Sequence, residues 1–292
     1  MKLKILSYKD AYYVVKTTLV EFVRDHSLNH GAALGYYMVL ALIPMIYLAV
    51  EMSAQIVGDR VYMIEAIRMT LGESIGAESA NSMAELLGKI NFSETKLITK
   101  IIGIGALLFT STAIFMALKR SINHFWNLTA VREKVVVRSL LFRLLSFGFL
   151  LVVGLLIMTS YFLQVSMASV GAYFEKEFSQ SFQFSFNVIT QLMSIGTNVI
   201  IFSLIFKFMH DGVIKWKLAI GGAILTALLM FLGQYLLRIY MGNMYFSSQF
   251  GVAGMFLMVL TYVFYASQIV FLGAKFVYVF AKVSGNPIQQ KR

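Results

Sequence analysis

The 292-residue sequence has no cysteine, two prolines, and charge on only 13% of its residues. Absence of cysteine excludes a disulfide scaffold and every thiolate-based metal site or nucleophile. The scarcity of proline, with 14% aromatic residues, excludes a proline-rich disordered chain. The scarcity of charge excludes a soluble globular domain, where about 25% of residues are charged. Acids are the scarcer sign: 14 Asp and Glu against 25 Lys and Arg leave a formal net charge of +11. What the chain has instead is apolar length, with 59% hydrophobic residues and a mean hydropathy of +0.75. The fold class that follows is an all-α polytopic membrane protein.

A spanning helix needs about 20 mostly apolar residues, whereas barrel strands alternate over ~10-residue segments. Six long runs without alternation lie at about 31–53, 97–118, 139–163, 187–209, 217–239 and 250–280. They predict six spans in a single membrane domain over 1–292, with an interfacial segment at 1–30 and a tail at 281–292. No cleavable signal precedes the first run. With the N-terminus inside, 17 of the 25 Lys and Arg fall on the cytoplasmic side and 7 outside, and Lys275 is left in a span. That asymmetry predicts an inner-membrane protein with both termini cytoplasmic. The basic residues flank spans and form no patch with interleaved aromatics, so they point to anionic inner-leaflet lipid as partner and not to nucleic acid.

Two segments read as lying on the membrane. Over 8–25, Tyr12, Val15, Leu19, Phe22 and Val23 recur at helical spacing, with Lys9, Lys16 and Arg24 elsewhere on the turn. This is the pattern of an interfacial helix, either a headgroup sensor or a simple anchor. In the external loop at 54–96, Val61, Ile64, Ile67 and Leu71, then Met83, Leu86, Leu87 and Ile90, predict two short amphipathic helices separated near Gly72 and Gly76.

Polar side chains inside spans are expensive and therefore candidate functional residues. Asn187, Gln191, Ser194 and Asn198 share one face of the fourth span. Thr261, Tyr265, Gln268 and Lys275 form a second stripe on the sixth, and Thr226 and Gln234 sit in the fifth. Two readings stand: interhelical hydrogen-bonded glue, or a polar cavity walled by spans 4 and 6. Glu51 lies about 30 Å along the first span from Gly31, at the outer boundary, and reads as an external-side acid. Lys275 is expected near the opposite boundary, where it would snorkel to inner headgroups beside Lys16 and Arg24.

The histidines, His26, His30, His124 and His210, have no regular ligand spacing, and no phosphate loop or nucleophile elbow is present. No enzyme, cofactor or metal is expected. Membrane-embedded hydrolysis would have only His124 or Asp211 to draw on.

Three stretches carry a resemblance. Ala32-Ala33-Leu34-Gly35-Tyr36-Tyr37 with Leu40, Leu42, Ile43 and Pro44 looks like the A-x-x-Y-Y-x-x-L-x-x-x-P signature of the YihY/BrkB membrane-protein family. Ala117-Leu118 through Ser121-Ile122-Asn123-His124-Phe125-Trp126 resembles its A-L-N-x-x-W segment. Trp216 and Gly221-Gly222-Ala223, then Phe250-Gly251-Val252-Ala253-Gly254 and Leu272-Gly273-Ala274, are similar to its closing Y-G-x-x-G-A and L-G-A-E. Lys275 departs from the closing glutamate, so no acidic role carries over, and a proline common near the fifth span is missing. The resemblance implies a six-span inner-membrane protein with roles in envelope lipid or lipopolysaccharide handling; the old family label of ribonuclease BN finds no support in these residues. Two functions are expected from the sequence: a transporter or flippase of lipid or another amphiphile that does not use ATP, or a membrane scaffold or regulatory subunit. Gly233, Gly251 and Gly254 allow close helix contact, within one chain, in a homo-oligomer, or with a protein partner.

Overall fold

A computed structural model describes residues 8–41, 61, 64–65, 68–69, 77–89, 97–129, 148–149, 151–156, 159–160, 163, 180–242 and 246–290. Helix α1 is Tyr8–Arg24. Residues 27–41 form α2. Four longer elements follow the short helix α3 (Ala77–Lys89): α4 (Leu97–Phe125), α5 (Gln180–Phe208), α6 (Trp216–Gly242) and α7 (Phe246–Val283). A two-stranded antiparallel pair joins β1 (Gly212–Val213) to β2 (Gln289–Gln290).

Ile101–Phe125, Val188–Phe208, Trp216–Leu236 and Phe256–Val283 are each long and apolar enough to cross a membrane. They correspond to the second, fourth, fifth and sixth runs. Part of the first run, 31–41, is helical, and its remainder, with Glu51, lies outside the described residues. Of the third run, 148–149, 151–156, 159–160 and 163 are helical, and its other residues lie outside them. The spanning helices keep Ile101, Ile102, Phe109, Leu192 and Leu232 outward and exposed. In a bilayer that arrangement is free of cost, because lipid tails are as apolar as the side chains.

Contacts divide the chain into two compact units: residues 1–26, 119–232 and 269–292, and residues 27–118 and 233–268. In the first unit, Phe125, Trp126, Phe206, Leu218, Phe271 and Val277 form the buried centre. The helix ends of this unit are built by local backbone bonds. Asn127, at φ 52°, caps α4, with Leu128 N–H donating to the Asn123 carbonyl at 2.8 Å. Gly285, at φ 73°, does the same after α7, with Asn286 N–H donating to Ala281 at 2.9 Å. Both are six-to-one closures around a left-handed residue, which Gly and Asn tolerate. The tail thus turns back, pairs β2 with β1, and places Asn286 on Lys215 and Gln290 on Thr129. The ends of α1 and α4, the α5–α6 turn and the tail therefore meet. These are the segments that the Lys and Arg distribution assigns to one side.

In the second unit, α2 packs on the early part of α7 through small residues. A Cβ on Gly31 would collide with the Gln268 amide, and one on Gly35 would lie 2.8 Å from Leu260 Cδ1. Gly233 is likewise filled by the Tyr265 hydroxyl, so its close contact is made within this chain. Between the first and second runs, residues 61, 64–65 and 68–69 are helical ahead of α3. Arg68 bridges Glu65 at 2.7 Å and Asn81 at 3.0 Å. That bond holds the half-buried Glu65 carboxyl below its usual range, so its small contribution is present at neutral pH and lost as pH falls through the lowered value.

Adjacent glycines of α6 should respond oppositely to an added methyl. A Cβ at Gly222 would collide with Val277 Cγ2, whereas one at Gly221 meets nothing within 4 Å. Gly222→Ala is expected to destabilise by about 1–3 kcal/mol. Gly221→Ala is expected to be neutral or to gain up to ~1 kcal/mol of helix propensity. Thermal unfolding of the two variants in detergent checks the contrast.

Candidate functional site

The sequence places a lysine in the last span, and the structure encloses it. Lys275 on α7 has no exposed surface. Its ammonium lies 2.7 Å from Asp25 Oδ2 and 2.9 Å from Glu21 Oε2, and donates to the Phe125 carbonyl at 3.1 Å. The Tyr278 ring centre is 4.9 Å away. Three donors on one ammonium thus meet three oxygens, the full valence of the group. Beside it Trp126 Nε1 donates to the Ala274 carbonyl at 2.7 Å. The expectation that Lys275 snorkels to lipid headgroups is corrected: its stem points into the protein, and two carboxylates replace water.

Those carboxylates come from α1 and the residue that follows it: Val14, Thr18, Glu21 and Asp25 follow spacings of 4, 3 and 4 and so share a face. Val14 and Thr18 are buried on that face. The apolar face marked by sequence periodicity is a different one. Tyr12, Val15, Leu19 and Val23 stay exposed, and Phe22 is half-buried. Of the other two headgroup candidates, Lys16 is exposed. Arg24 is mostly open, with Nε 3.6 Å from Asp25.

Asp211 is also committed. It accepts from Lys119 at 2.7 Å and from Asn123 Nδ2 at 2.8 Å, and its N–H donates to Asn123 Oδ1 at 2.9 Å. This closes the α5–α6 turn onto α4 and removes Asp211 as a free surface base. Among the described residues, no group of three His, Asp or Glu is placed to hold a metal ion.

The nine candidate cavity residues divide between the units. In the first, Gln191 is exposed, and Ser194 and Asn198 are half-buried; the Asn187 side chain lies outside the described residues. Thr226 is not a wall of any hydrated space. It is fully buried, donates to its own helix at the Gly222 carbonyl (2.8 Å), and fills the space over Gly273. The hydroxyl that the stripe reading missed is Thr197, which donates to the Met193 carbonyl at 3.0 Å and lies 3.0 Å from the Ser160 hydroxyl, from which it can accept. It lies one residue from Asn198, and only the position of residue 160 reveals its role.

In the second unit, Gln234 is half-buried and Tyr265 rests on Gly233. Gln268 Nε2 donates to the Ser27 carbonyl at 3.3 Å, while its Oε1 is buried with no partner among the described residues. Thr261 donates to the Leu257 carbonyl at 2.8 Å. Thr261 also lines a cavity of about 620 Å³ with Ala32, Tyr36, Val39, Phe256 and Leu260. Of the nine candidates Thr261 alone takes part, and with its hydroxyl turned to the backbone the cavity is apolar.

Removing the cation should leave two carboxylates poorly solvated. Lys275→Met is expected to cost about 3–5 kcal/mol, and adding Glu21→Gln and Asp25→Asn should restore most of it, because a fully neutral site needs no counter-charge. Unfolding midpoints of the single and triple variants in one detergent measure both effects.

Residues 18–292 match the family described as virulence factor BrkB. A UPF0761 membrane protein of Psychromonas ingrahamii is 22% identical over 247 residues, covering 83% of this chain and 78% of that relative. Another, of Verminephrobacter eiseniae, is 24% identical over 267 residues, covering 89% of this chain and 60% of the relative's length. A third, of Idiomarina loihiensis, is 23% identical over 176 residues, 60% of this chain and 58% of its own. No solved structure matches the chain. With nearly the whole length matched and the membrane helices in place, the chain belongs to the virulence factor BrkB family of membrane proteins.

Proposed function

We propose that the protein binds and translocates a lipid or another amphiphile across a bacterial cytoplasmic membrane without nucleotide hydrolysis, with both termini cytoplasmic. The observation that carries this reading is the apolar cavity between α2 and α7. Its volume of about 620 Å³ falls in the range of small-molecule sites, roughly 300–1,000 Å³. Its α7 wall, Phe256, Leu257, Leu260, Thr261 and Phe264, belongs to the spanning segment Phe256–Val283. A site of that lining at membrane depth suits a hydrocarbon tail. In the first unit, taken by itself, Gln191, Ser194 and Asn198 on α5 offer amide and hydroxyl groups that are not fully buried, a surface suited to a polar headgroup. The open apolar face of α1, with Lys16 and Arg24, adds a surface for the headgroup layer.

Ala32→Trp fills the cavity, and Gln191→Leu with Asn198→Leu removes the polar face. In liposomes carrying a fluorescent phospholipid, the purified protein should make inner-leaflet label accessible to an added quencher. Both variants should lose that activity while eluting as the parent does. Parent vesicles no leakier to label than empty ones, or variants as active as the parent, would sink the proposal and favour a scaffold.

A further inference from the structure

The apolar segments Val188–Phe208 and Trp216–Leu236, each long enough to cross a membrane, bracket a short turn, and Phe208 and Trp216 are their facing end residues. Both rings are open to the outside, Phe208 55% and Trp216 47% exposed. They meet edge to face at 5.8 Å. Val213, at the tip of the turn, is exposed as well. Aromatic rings in that position occupy the headgroup and glycerol layer.

Three lysines surround this edge. Lys207 Nζ sits 5.4 Å from the Trp216 ring centre and donates to the Ile214 carbonyl at 2.5 Å, which uses one of its three donors. Lys217 is exposed beside Trp216, and Lys215 is held by Asn286 of the tail. The acid within 207–217 is Asp211, and its carboxylate is taken by Lys119 and Asn123. The turn therefore presents cationic donors around an apolar ring pair, with its own carboxylate withdrawn.

We infer that the α5–α6 turn is a binding site for an anionic phospholipid, with the Phe208–Trp216 edge against the glycerol and upper chains and the Lys207 and Lys217 ammonium groups on the phosphate. The charge complementarity is with a lipid of net negative headgroup and not with a zwitterion, whose own amine would face the lysines. This site replaces the headgroup role expected of Lys275. It stands without translocation, since a scaffold would be anchored by it equally.

The chain carries its own probe. Of its two tryptophans, Trp126 is buried and hydrogen-bonded to Ala274, which leaves Trp216 in reach of a lipid-borne quencher. The full chain is reconstituted in phosphatidylethanolamine vesicles with increasing fractions of dibrominated phosphatidylglycerol or dibrominated phosphatidylethanolamine. Half-quenching by the brominated glycerol lipid is expected at an about ten-fold lower fraction, as one to two nearby lysines would give. Lys207→Gln with Lys217→Gln should equalise the two lipids while the unquenched Trp126 emission reports an intact fold. High salt should erase the preference in the parent chain, a check that needs no variant. Equal quenching by both lipids in the parent protein, or no quenching by either, overturns the site, and neither result bears on whether the protein moves lipid.

Discussion

The ammonium of Lys275 constrains everything around it. A lone charge of this size withdrawn from water is penalised by several kcal/mol even after relaxation, so the fold must bring compensating groups to it. Glu21 of α1, Asp25 just beyond its end and the Phe125 carbonyl at the end of α4 do so. One side chain thereby fixes the rotation of α1, because only the Glu21–Asp25 face can turn inward. The Tyr12–Val15–Leu19–Val23 face is turned away as a consequence and stays exposed.

Around that charge, packing relies on small residues and on hydroxyls that satisfy themselves. Thr226, Thr261, Thr110 and Thr112 each donate to a carbonyl four residues back in their own helix. A helix interior can hold such groups in hydrocarbon with no partner from another helix, which is why a polar residue in a span does not by itself imply a polar cavity. Where helices do approach closely, glycine makes the room: Gly222 for Val277, Gly273 for Thr226, and Gly31 for Gln268.

The hydrophilic end of the first unit follows a different logic. Asp211, Asn123 and Lys119 close the α5–α6 turn, and the tail returns through β2 to cover it. The Asp211 carboxylate and the Asp211 and Gly212 N–H groups are paired there, and the aromatic and lysine side chains lie on the turn's outer edge. The two units thus differ in character: the second holds an apolar volume beside α2, and the first carries cationic side chains at its helix ends.

The sequence by itself determined the class and much of the helix register. Apolar runs of about 20 residues can be satisfied in a bilayer only as helices, and among the described residues four of the six runs form helices long and apolar enough to cross one, while the amphipathic period of residues 8–25 marks α1. It also assigned one side to the segments that meet around Asp211 and Lys275, because Lys and Arg distribution reflects insertion rather than packing. Only the tertiary structure decided what the polar residues do. Periodicity says which residues share a face but not what that face meets, so Lys275 looked lipid-facing until Asp25, 250 residues away in sequence, was brought to it. For the same reason Thr226 looked like a cavity wall and is a packing contact. The apolar cavity at Thr261 has no signature along the chain, because it is space left between helices and not a property of either one.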